Sequence, residues 1–400
     1  MKIDNDQLLT TNLHYSLIIE CCRIYPDTET LERLAGEIED WKRCLISTYA
    51  HGVYPLVAKS LKTISTVPDH IKSLLKIANL DIARRNMMMT SELLRVMKLL
   101  EEHGIQALAI KGPVLSQMIH GDITQRQFAD LDILVGENDL YLIVQLLSQV
   151  GYSFKHSIEF LKNKFLLKTL KDIVLENEQN TIHIEIHWKL FMGRLFRQSD
   201  TNVLIHTHAE CLIYNTAIKT LEKDVLLLYL LLHGSKHLWE RLEWVIDIDR
   251  LVCSSDEINW DTIYDTAKKM EILPMIYLGV QVSYKIFHTP FHPDLLRKSY
   301  ESPNISGAAN NLYSRICSDR IHDIDEYMEN FYYLGIEDSK SIISKIFSRL
   351  YSPTARQIYR INLPYWLSPM YYIILVIDVI YIQFLLLLGL KDKYKEFHHE

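Results

Sequence analysis

Two short segments with alternating side chains constrain the fold of this chain most. Residues 128–135, Phe-Ala-Asp-Leu-Asp-Ile-Leu-Val, alternate across the two faces of a strand, which puts Asp130 and Asp132 on the same face. Residues 181–188 have the same period of two, and Glu185 lies on the face opposite the isoleucines. If the two strands are neighbours, three acidic side chains share one face of a sheet.

A third segment, residues 105–110, predicts a buried strand because it is a short and almost wholly apolar run. Lys111, Gly112 and Pro113 follow it, and the proline suits the first turn of a helix. Backbone amides at such a turn, together with a lysine ammonium, are suited to bind phosphate oxygens. We therefore predict that Lys111 and Gly112 bind the triphosphate of a nucleotide.

The three acids suit nucleotidyl transfer. This reaction needs divalent metal to neutralise phosphate charge and to align the attacking oxygen with the leaving pyrophosphate. Carboxylates on a strand supply the hard oxygen ligands that Mg²⁺ prefers. We predict that Asp130 and Asp132 hold two Mg²⁺ ions, with Mn²⁺ as the alternative ion. Glu185 is predicted to bind the ion on the nucleophile side and to take the proton of the acceptor hydroxyl.

The order of these motifs resembles the uncharacterised nucleotidyltransferase family of the polymerase-beta-like superfamily. The resemblance rests on Leu-Ala-Ile-Lys-Gly at 108–112, on residues 126–135, and on Ile-His-Ile-Glu-Ile-His-Trp at 182–188. It extends to His-Gly-Ser-Lys-His-Leu-Trp at 233–239 and Trp-Val-Ile-Asp at 244–247. It implies an NTP substrate and a mixed sheet with flanking helices. Lys111 and Gly112 stand where the superfamily commonly has glycine and serine.

Helical apolar spacing surrounds the predicted strands, and 400 residues are more than one hydrophobic core usually serves. We predict an α+β fold, with a small mixed-sheet nucleotidyltransferase core between large helical N- and C-terminal regions. The predicted units are a helical N-terminal region at 1–104, the core at 105–200, a helical C-terminal domain at 201–348, and an apolar helix with its tail at 349–400.

Several polar residues near these motifs allow two interpretations. Arg126, four residues before the acid pair, is either a contact for the triphosphate or a member of a surface ion pair. His183 and His187 flank the third acid on its face, which leaves a zinc hydrolase open. His233 and His237 share one face of a predicted helix, where they are either structural side chains or metal ligands.

Charge and cysteine usage limit partners and compartment. A net charge of −7 argues against broad attraction to phosphate backbones, which makes nucleic acid a disfavoured partner. Six cysteines without Cys-x-x-Cys spacing, and an N-terminus without an export signal, predict a cytoplasmic protein.

Residues 370–390 are strongly apolar, interrupted by Asp378 and Gln383 and followed by Lys391, Lys393 and Lys395. About 20 residues can span a bilayer. A helix packed on the protein explains the aromatic residues equally well, so membrane contact and membrane association stay open.

These features together predict an enzyme that transfers an NMP from an NTP to an acceptor and releases pyrophosphate. The acceptor is a small molecule, a peptide, a protein or an RNA, and no motif selects among them. Two alternatives stay open: a catalytically inactive nucleotide-binding regulatory protein, and a membrane-peripheral interaction protein organised by residues 370–390.

Overall fold

The computed structural model describes residues 12–177, 181–190, 205–254, 258–318, 361, 363 and 365–387. The N-terminal part of the protein consists of helices. They are α1 (Leu13–Cys21), α2 (Thr28–Gly36), α3 (Trp41–Ala50), α4 (Tyr54–Leu61) and α5 (Asp69–Glu102). Asp27 and Asp40 begin α2 and α3, and each side chain accepts a hydrogen bond from a backbone amide of the first turn. The second half of α5 carries an apolar stripe that packs against the sheet.

A mixed five-stranded sheet follows, with strand order β1-β2-β5-β4-β3. The strands are β1 (Ala107–Ala109), β2 (Asp130–Val135), β3 (Tyr152–Phe154), β4 (Asp172–Asn177) and β5 (His183–His187). β2 and β5 run parallel, whereas β1 pairs antiparallel with β2, and β4 pairs antiparallel with both β5 and β3. This sheet between helical regions confirms the predicted α+β fold.

Short helices connect the strands: α6 (Pro113–His120), α7 (Leu140–Gln149) and α8 (Lys164–Thr169), with 3₁₀ turns at Glu137–Asp139 and Ile158–Lys162. Gly112 joins β1 to α6 with a φ of +60°, a backbone conformation that favours glycine. A Cβ at this position would lie 3.4 Å from the carbonyl oxygen of Asp130. Glycine therefore lets the turn approach β2 closely.

The two faces of the sheet pack into different hydrophobic cores. Leu131, Ile133 and Val135 of β2 pack with α7 and the second half of α5. Leu134, on the other face, belongs to a core shared by the N-terminal helices and the helices that follow the sheet. Because side chains alternate along a strand, the face that carries Asp132 is turned toward those later helices. They therefore cover the acidic face.

A β-hairpin, β6 (Ala209–Ile213) and β7 (Thr216–Thr220), precedes the later helices. The hairpin was not predicted, because residues 201–348 were predicted as a helical C-terminal domain. Tyr214 and Asn215 form the turn, and both have positive φ values, as two-residue hairpin turns require. The turn contains no glycine, so the usual hairpin signal is missing from the sequence.

The later helices are α9 (Lys223–Lys236), α10 (Leu242–Cys253), α11 (Trp260–Lys269), α12 (Leu273–Phe287), α13 (Pro293–Ser299) and α14 (Pro303–Ile316). Trp239, in the connection after α9, is fully buried where α9 and α12 pack together. A Cβ at Gly234 or Gly279 would lie 2.5 or 2.6 Å from its indole ring. These two glycines make room for the indole.

A last helix, α15 (Met370–Leu387), follows a 3₁₀ turn at Tyr365–Leu367. Tyr371 is fully buried in the core beneath the sheet, and its hydroxyl donates to the carbonyl of Ile361. Other side chains of α15 are apolar and exposed: Tyr372, Ile373, Val376, Ile377, Ile380 and Tyr381.

Within the described ranges, no helix has both the length and the apolar character to cross a membrane. The predicted boundaries at 200 and 348, and the lysines after residue 390, lie outside the described residues.

Candidate functional site

The parallel pairing of β2 with β5 fixes the centre of the candidate site. In this register Asp132 lies directly beside Glu185, and Asp130 lies beside His183. The sequence prediction required the two strands to be neighbours with their acids on one face. That requirement is met, although the strands are separated by about 50 residues of chain.

A compact group of Asp132, Glu185 and His187 lies on this face. One ligand atom of each residue is within 4.8 Å of the other two. His187 Nε2 is 2.9 Å from Asp132 Oδ1 and 3.3 Å from Glu185 Oε2. Asp132 and His187 are buried, whereas the Glu185 side chain is 31% exposed. Two carboxylates and an imidazole this close together form a donor set that can hold a divalent cation.

Lys111 supplies the positive charge beside this group. Its Nζ is 3.3 Å from Asp132 Oδ2, and both side chains are largely buried. Burial by itself would raise the pKa of Asp132, but the Lys111 ammonium and the hydrogen bond from His187 outweigh it and hold that pKa well below its ordinary value. Asp132 is therefore a carboxylate at neutral pH. The predicted phosphate-binding lysine lies at the acids, next to the turn at Gly112.

Asp130 lies at the rim of the same face. Burial, followed by the nearby charges of Asp132 and Glu185, raises the pKa of its carboxyl group, although the Lys111 ammonium acts in the opposite direction. A carboxyl group crowded by two other carboxylates gains the most from a cation placed among them. The structure thus places Asp130 within electrostatic reach of both other predicted acids.

The site fits a divalent metal ion. Asp132 Oδ2 is buried, and among the described residues it accepts no hydrogen bond; the Lys111 ammonium at 3.3 Å is its ion-pair partner. The Lys111 ammonium already compensates the charge of this oxygen, so the fit to a metal ion rests on the donor set of Asp132, Glu185 and His187. Asp132, Glu185 and His187 could supply three ligands to one ion, whereas Asp130 lies outside this compact group.

An aromatic and imidazole wall on α9 and α10 faces the acids; it consists of Tyr229, His233, His237 and Trp244. Lys111 Nζ lies 5.8 Å from the centroid of the Tyr229 ring. The His233 ring is 4.8 Å from the His237 ring and 5.5 Å from the Trp244 ring, centroid to centroid. Burial, followed by nearby lysine charges, lowers the pKa of His237 to about 3. These imidazoles are therefore neutral at pH 7, and they form a largely uncharged wall beside a charged site.

Arg126 lies in the same region and forms an ion pair with Asp247 rather than with the acids of the site. Its Nε and Nη2 donate to the two carboxylate oxygens of Asp247 on α10, at 2.8 and 2.9 Å. Both side chains are almost fully buried. The pair ties the loop before β2 to the helices that cover the site. Its role as a nucleotide contact stays a prediction.

His183 lies outside the compact group, although it shares the face of Glu185. Its Nδ1 is 3.5 Å from Glu176 Oε1 at the more exposed end of the strand. The zinc interpretation combined His183, Glu185 and His187, whereas the structure gathers Asp132 with Glu185 and His187.

Two contacts around the acids could not be read from the sequence. His187 was visible two residues after Glu185 on the same strand face, but its contact with Asp132 depends on the strand register. Asp172 lies opposite His187 in the antiparallel pairing of β4 with β5, and its Oδ2 is 3.5 Å from His187 Nδ1. The strand β4 was not predicted, so no sequence signal marked Asp172.

Comparisons with known proteins agree with this geometry. No curated protein matches the chain. The family described as uncharacterised nucleotidyltransferase matches residues 37–288, which is well over half of the 400 residues. The match includes the turn at Lys111, both acidic strands and the covering helices α9 and α10. The chain therefore belongs to this family of uncharacterised nucleotidyltransferases.

Proposed function

We propose that this protein transfers an NMP from an NTP to an acceptor. An acceptor oxygen or nitrogen attacks the α-phosphorus, the bond between that phosphorus and the bridging oxygen to the β-phosphate breaks, and pyrophosphate leaves. The observation that carries the proposal is the pairing of Asp132 with Glu185 on adjacent strands, beside the Lys111 ammonium. Membership of the nucleotidyltransferase family supports the general class of reaction.

Asp130, Asp132 and Glu185 are the residues that we propose to hold the metal. Two Mg²⁺ ions, with Mn²⁺ as the alternative, would neutralise phosphate charge and lower the pKa of the attacking group. Glu185 is the more exposed of the two paired acids, so its carboxylate can reach an acceptor. We assign it the proton released by the acceptor.

Lys111 and Gly112 are the proposed phosphate contacts. The Lys111 side chain is 12% exposed and borders the acids, so its ammonium can turn from Asp132 to a phosphate oxygen. The backbone at Gly112 leads into the first turn of α6, where helix amide groups favour an anion. The Tyr229 to Trp244 wall closes the other side of this space.

The decisive experiment supplies each α-labelled NTP with Mg²⁺ to the full chain in cell extract, and follows both pyrophosphate release and label in an acceptor. We expect wild type to label a product. Asp132→Asn keeps the shape of the side chain but removes the charge, and should reduce labelling by at least 100-fold. Arg297→Gln, in an exposed ion pair far along the chain, is the matched control.

Labelling that survives in Asp132→Asn contradicts the proposed metal site. NTP binding without any turnover in wild type would favour the catalytically inactive regulatory protein instead. The labelled product also identifies the acceptor among small molecules, peptides, proteins and RNA.

We propose membrane-surface contact as a second role, supported by the exposed apolar side chains of α15 and by the lysines that follow it in the sequence. Ile373→Glu and Ile377→Glu should abolish sedimentation of the protein with anionic vesicles, and sedimentation that persists refutes the membrane contact.

The proposed compartment is the cytoplasm, consistent with six free cysteines.

A further inference from the structure

His187 has the surroundings of a metal-ligating histidine. Its ring is 3% exposed, and both ring nitrogens face carboxylates. Nε2 faces Asp132 and Glu185, while Nδ1 faces Asp172. Each of these carboxylates comes from a different strand, so the backbone ladder of β2, β5 and β4 fixes the arrangement.

The distances on the Nε2 side match those between neighbouring ligands of one ion. Two atoms that each lie at about 2.1 Å from an ion, at right angles, are separated by about 3 Å. His187 Nε2 is 2.9 Å from Asp132 Oδ1 and 3.3 Å from Glu185 Oε2. Two of the three separations between these ligand atoms therefore match those of neighbouring ligands of one ion, and all three atoms lie within 4.8 Å of one another.

The Nδ1 side supplies an independent observation. A histidine that binds metal through one nitrogen almost always donates the hydrogen of the other nitrogen to a carboxylate or a carbonyl, which fixes its tautomer. Asp172 Oδ2 lies 3.5 Å from His187 Nδ1. A bound cation would take the place of the Nε2 hydrogen that otherwise donates to Asp132, and the hydrogen on Nδ1 would then point toward Asp172.

We propose that His187 Nε2 binds an ion jointly with Asp132 and Glu185, and that this position prefers a first-row transition dication such as Mn²⁺ to Mg²⁺. The inference rests on the proposed function, because nucleotidyl transfer is the reaction that this ion would serve. It concerns only the ion bound between β2 and β5. An imidazole ligand favours transition ions, whereas Mg²⁺ is best served by oxygen ligands and retained water. Asp172 is a positioning residue that orients the imidazole.

The test uses Mn²⁺ as the probe on the full chain, with a non-hydrolysable NTP present. Electron spin-echo spectroscopy of bound Mn²⁺ detects a directly coordinated ¹⁴N. We expect this coupling in wild type and its loss in His187→Gln. His183→Gln is the matched control, because His183 shares the strand face but pairs with Glu176; the coupling should persist there.

Affinity provides the second readout. Asp172→Asn should weaken Mn²⁺ binding by roughly 10- to 100-fold, as loss of an orienting carboxylate does at other metal sites. Mg²⁺ should displace Mn²⁺ from wild type only at concentrations more than 10-fold higher. This preference should shrink in His187→Gln. If His187→Gln does not fold, the wild-type spectrum and Asp172→Asn still decide the question.

The outcomes separate this inference from the proposed function. Mn²⁺ bound to wild type without ¹⁴N coupling would refute the ligand role of His187, and nucleotidyl transfer by Mg²⁺ would stand. Coupling that survives in His187→Gln would refute it as well, since another nitrogen would then be the ligand. If wild type binds neither ion, both the inference and the metal-dependent mechanism are wrong.

Discussion

Arg126 and Asp247 form a buried ion pair between the sheet region and a helix that covers the site. Two hydrogen bonds join a loop of the sheet to α10 in a place that water hardly reaches. Removing one partner from such a pair leaves an uncompensated buried charge, whereas removing both does not. The sequence predicted Arg126 as a contact for the triphosphate or as a member of a surface ion pair, but its buried partner lies 121 residues away and could not be read from the sequence.

Arg126→Ala should therefore lower the free energy of unfolding by about 3 to 5 kcal/mol, because Asp247 stays buried without its partner. The measurement is urea unfolding of the full chain. Arg297→Ala, which breaks an exposed pair with Glu301, should change stability by less than about 1 kcal/mol. If Arg126→Ala and Arg297→Ala lower the free energy of unfolding by the same amount, the buried pair stabilises the fold no more than the exposed pair does. The double variant with Asp247→Ala should regain part of the loss.

The raised pKa of Glu243, a buried residue of α10, predicts how the free energy of unfolding depends on pH. Burial raises its pKa to about 7, although Arg126 and Arg241 lower it. The folded state therefore holds a proton that the unfolded state, with its ordinary pKa of 4.5, releases. The resulting stabilisation is fully present below pH 4.5 and is lost as pH rises through about 7.

Urea unfolding at pH 5 and pH 8 tests this dependence. Wild type should lose more stability between these two values than Glu243→Gln, in which no proton can be released. Equal losses in the two proteins would show that another group controls the dependence on pH.

At the scale of elements, the strands β1, β2 and β5 were predictable from the sequence, whereas β3, β4 and the hairpin strands β6 and β7 were not. β2 and β5 carry strict alternation between apolar and polar side chains, and both were predicted within a residue or two. β3 and β4 are short or carry charged residues at their ends, so their pattern resembles that of a loop. The helices were predicted by apolar spacing, but which helix covers the acids depends on tertiary packing.

Trp239 packs where α9 and α12 meet, and this packing predicts how Gly→Ala substitutions change thermal stability. Gly234→Ala places a Cβ 2.5 Å from a buried indole carbon, so overpacking of about 1 to 3 kcal/mol outweighs the gain in helix propensity. Thermal unfolding should therefore show a lower midpoint. Gly307→Ala, in α14 with nothing within 4 Å of its Cβ, should raise the midpoint. A Gly234→Ala variant as stable as wild type would contradict this packing.

For the whole molecule, one hydrophobic core joins segments from α1 to α14 and includes side chains from the sheet region. Leu108, Ile110 and Leu134 belong to that core rather than to the core on the other side of the sheet. The proposed boundaries at 104 and 200 describe segments of sequence, and whether each segment folds alone stays a prediction. Composition and periodicity indicated two or three units, but they carry no information about a shared core.

A fragment of residues 105–222 should therefore fail to fold by itself, because the apolar side chains that face the helices would be exposed to water. We expect weak near-ultraviolet circular dichroism and strong binding of a hydrophobic dye. Residues 12–318 should show one cooperative unfolding transition. A fragment 105–222 that unfolds cooperatively would show that the sheet needs no covering helices.

The long sequence separation of Arg126 and Asp247 also matters during synthesis. A ribosome that adds about 5 to 20 residues per second needs roughly 6 to 24 s to make the 121 residues between them. Through this interval the nascent chain carries an arginine whose partner has not yet been translated. A chain released during this interval therefore contains the acids of the site but lacks α10, one of the helices that enclose them.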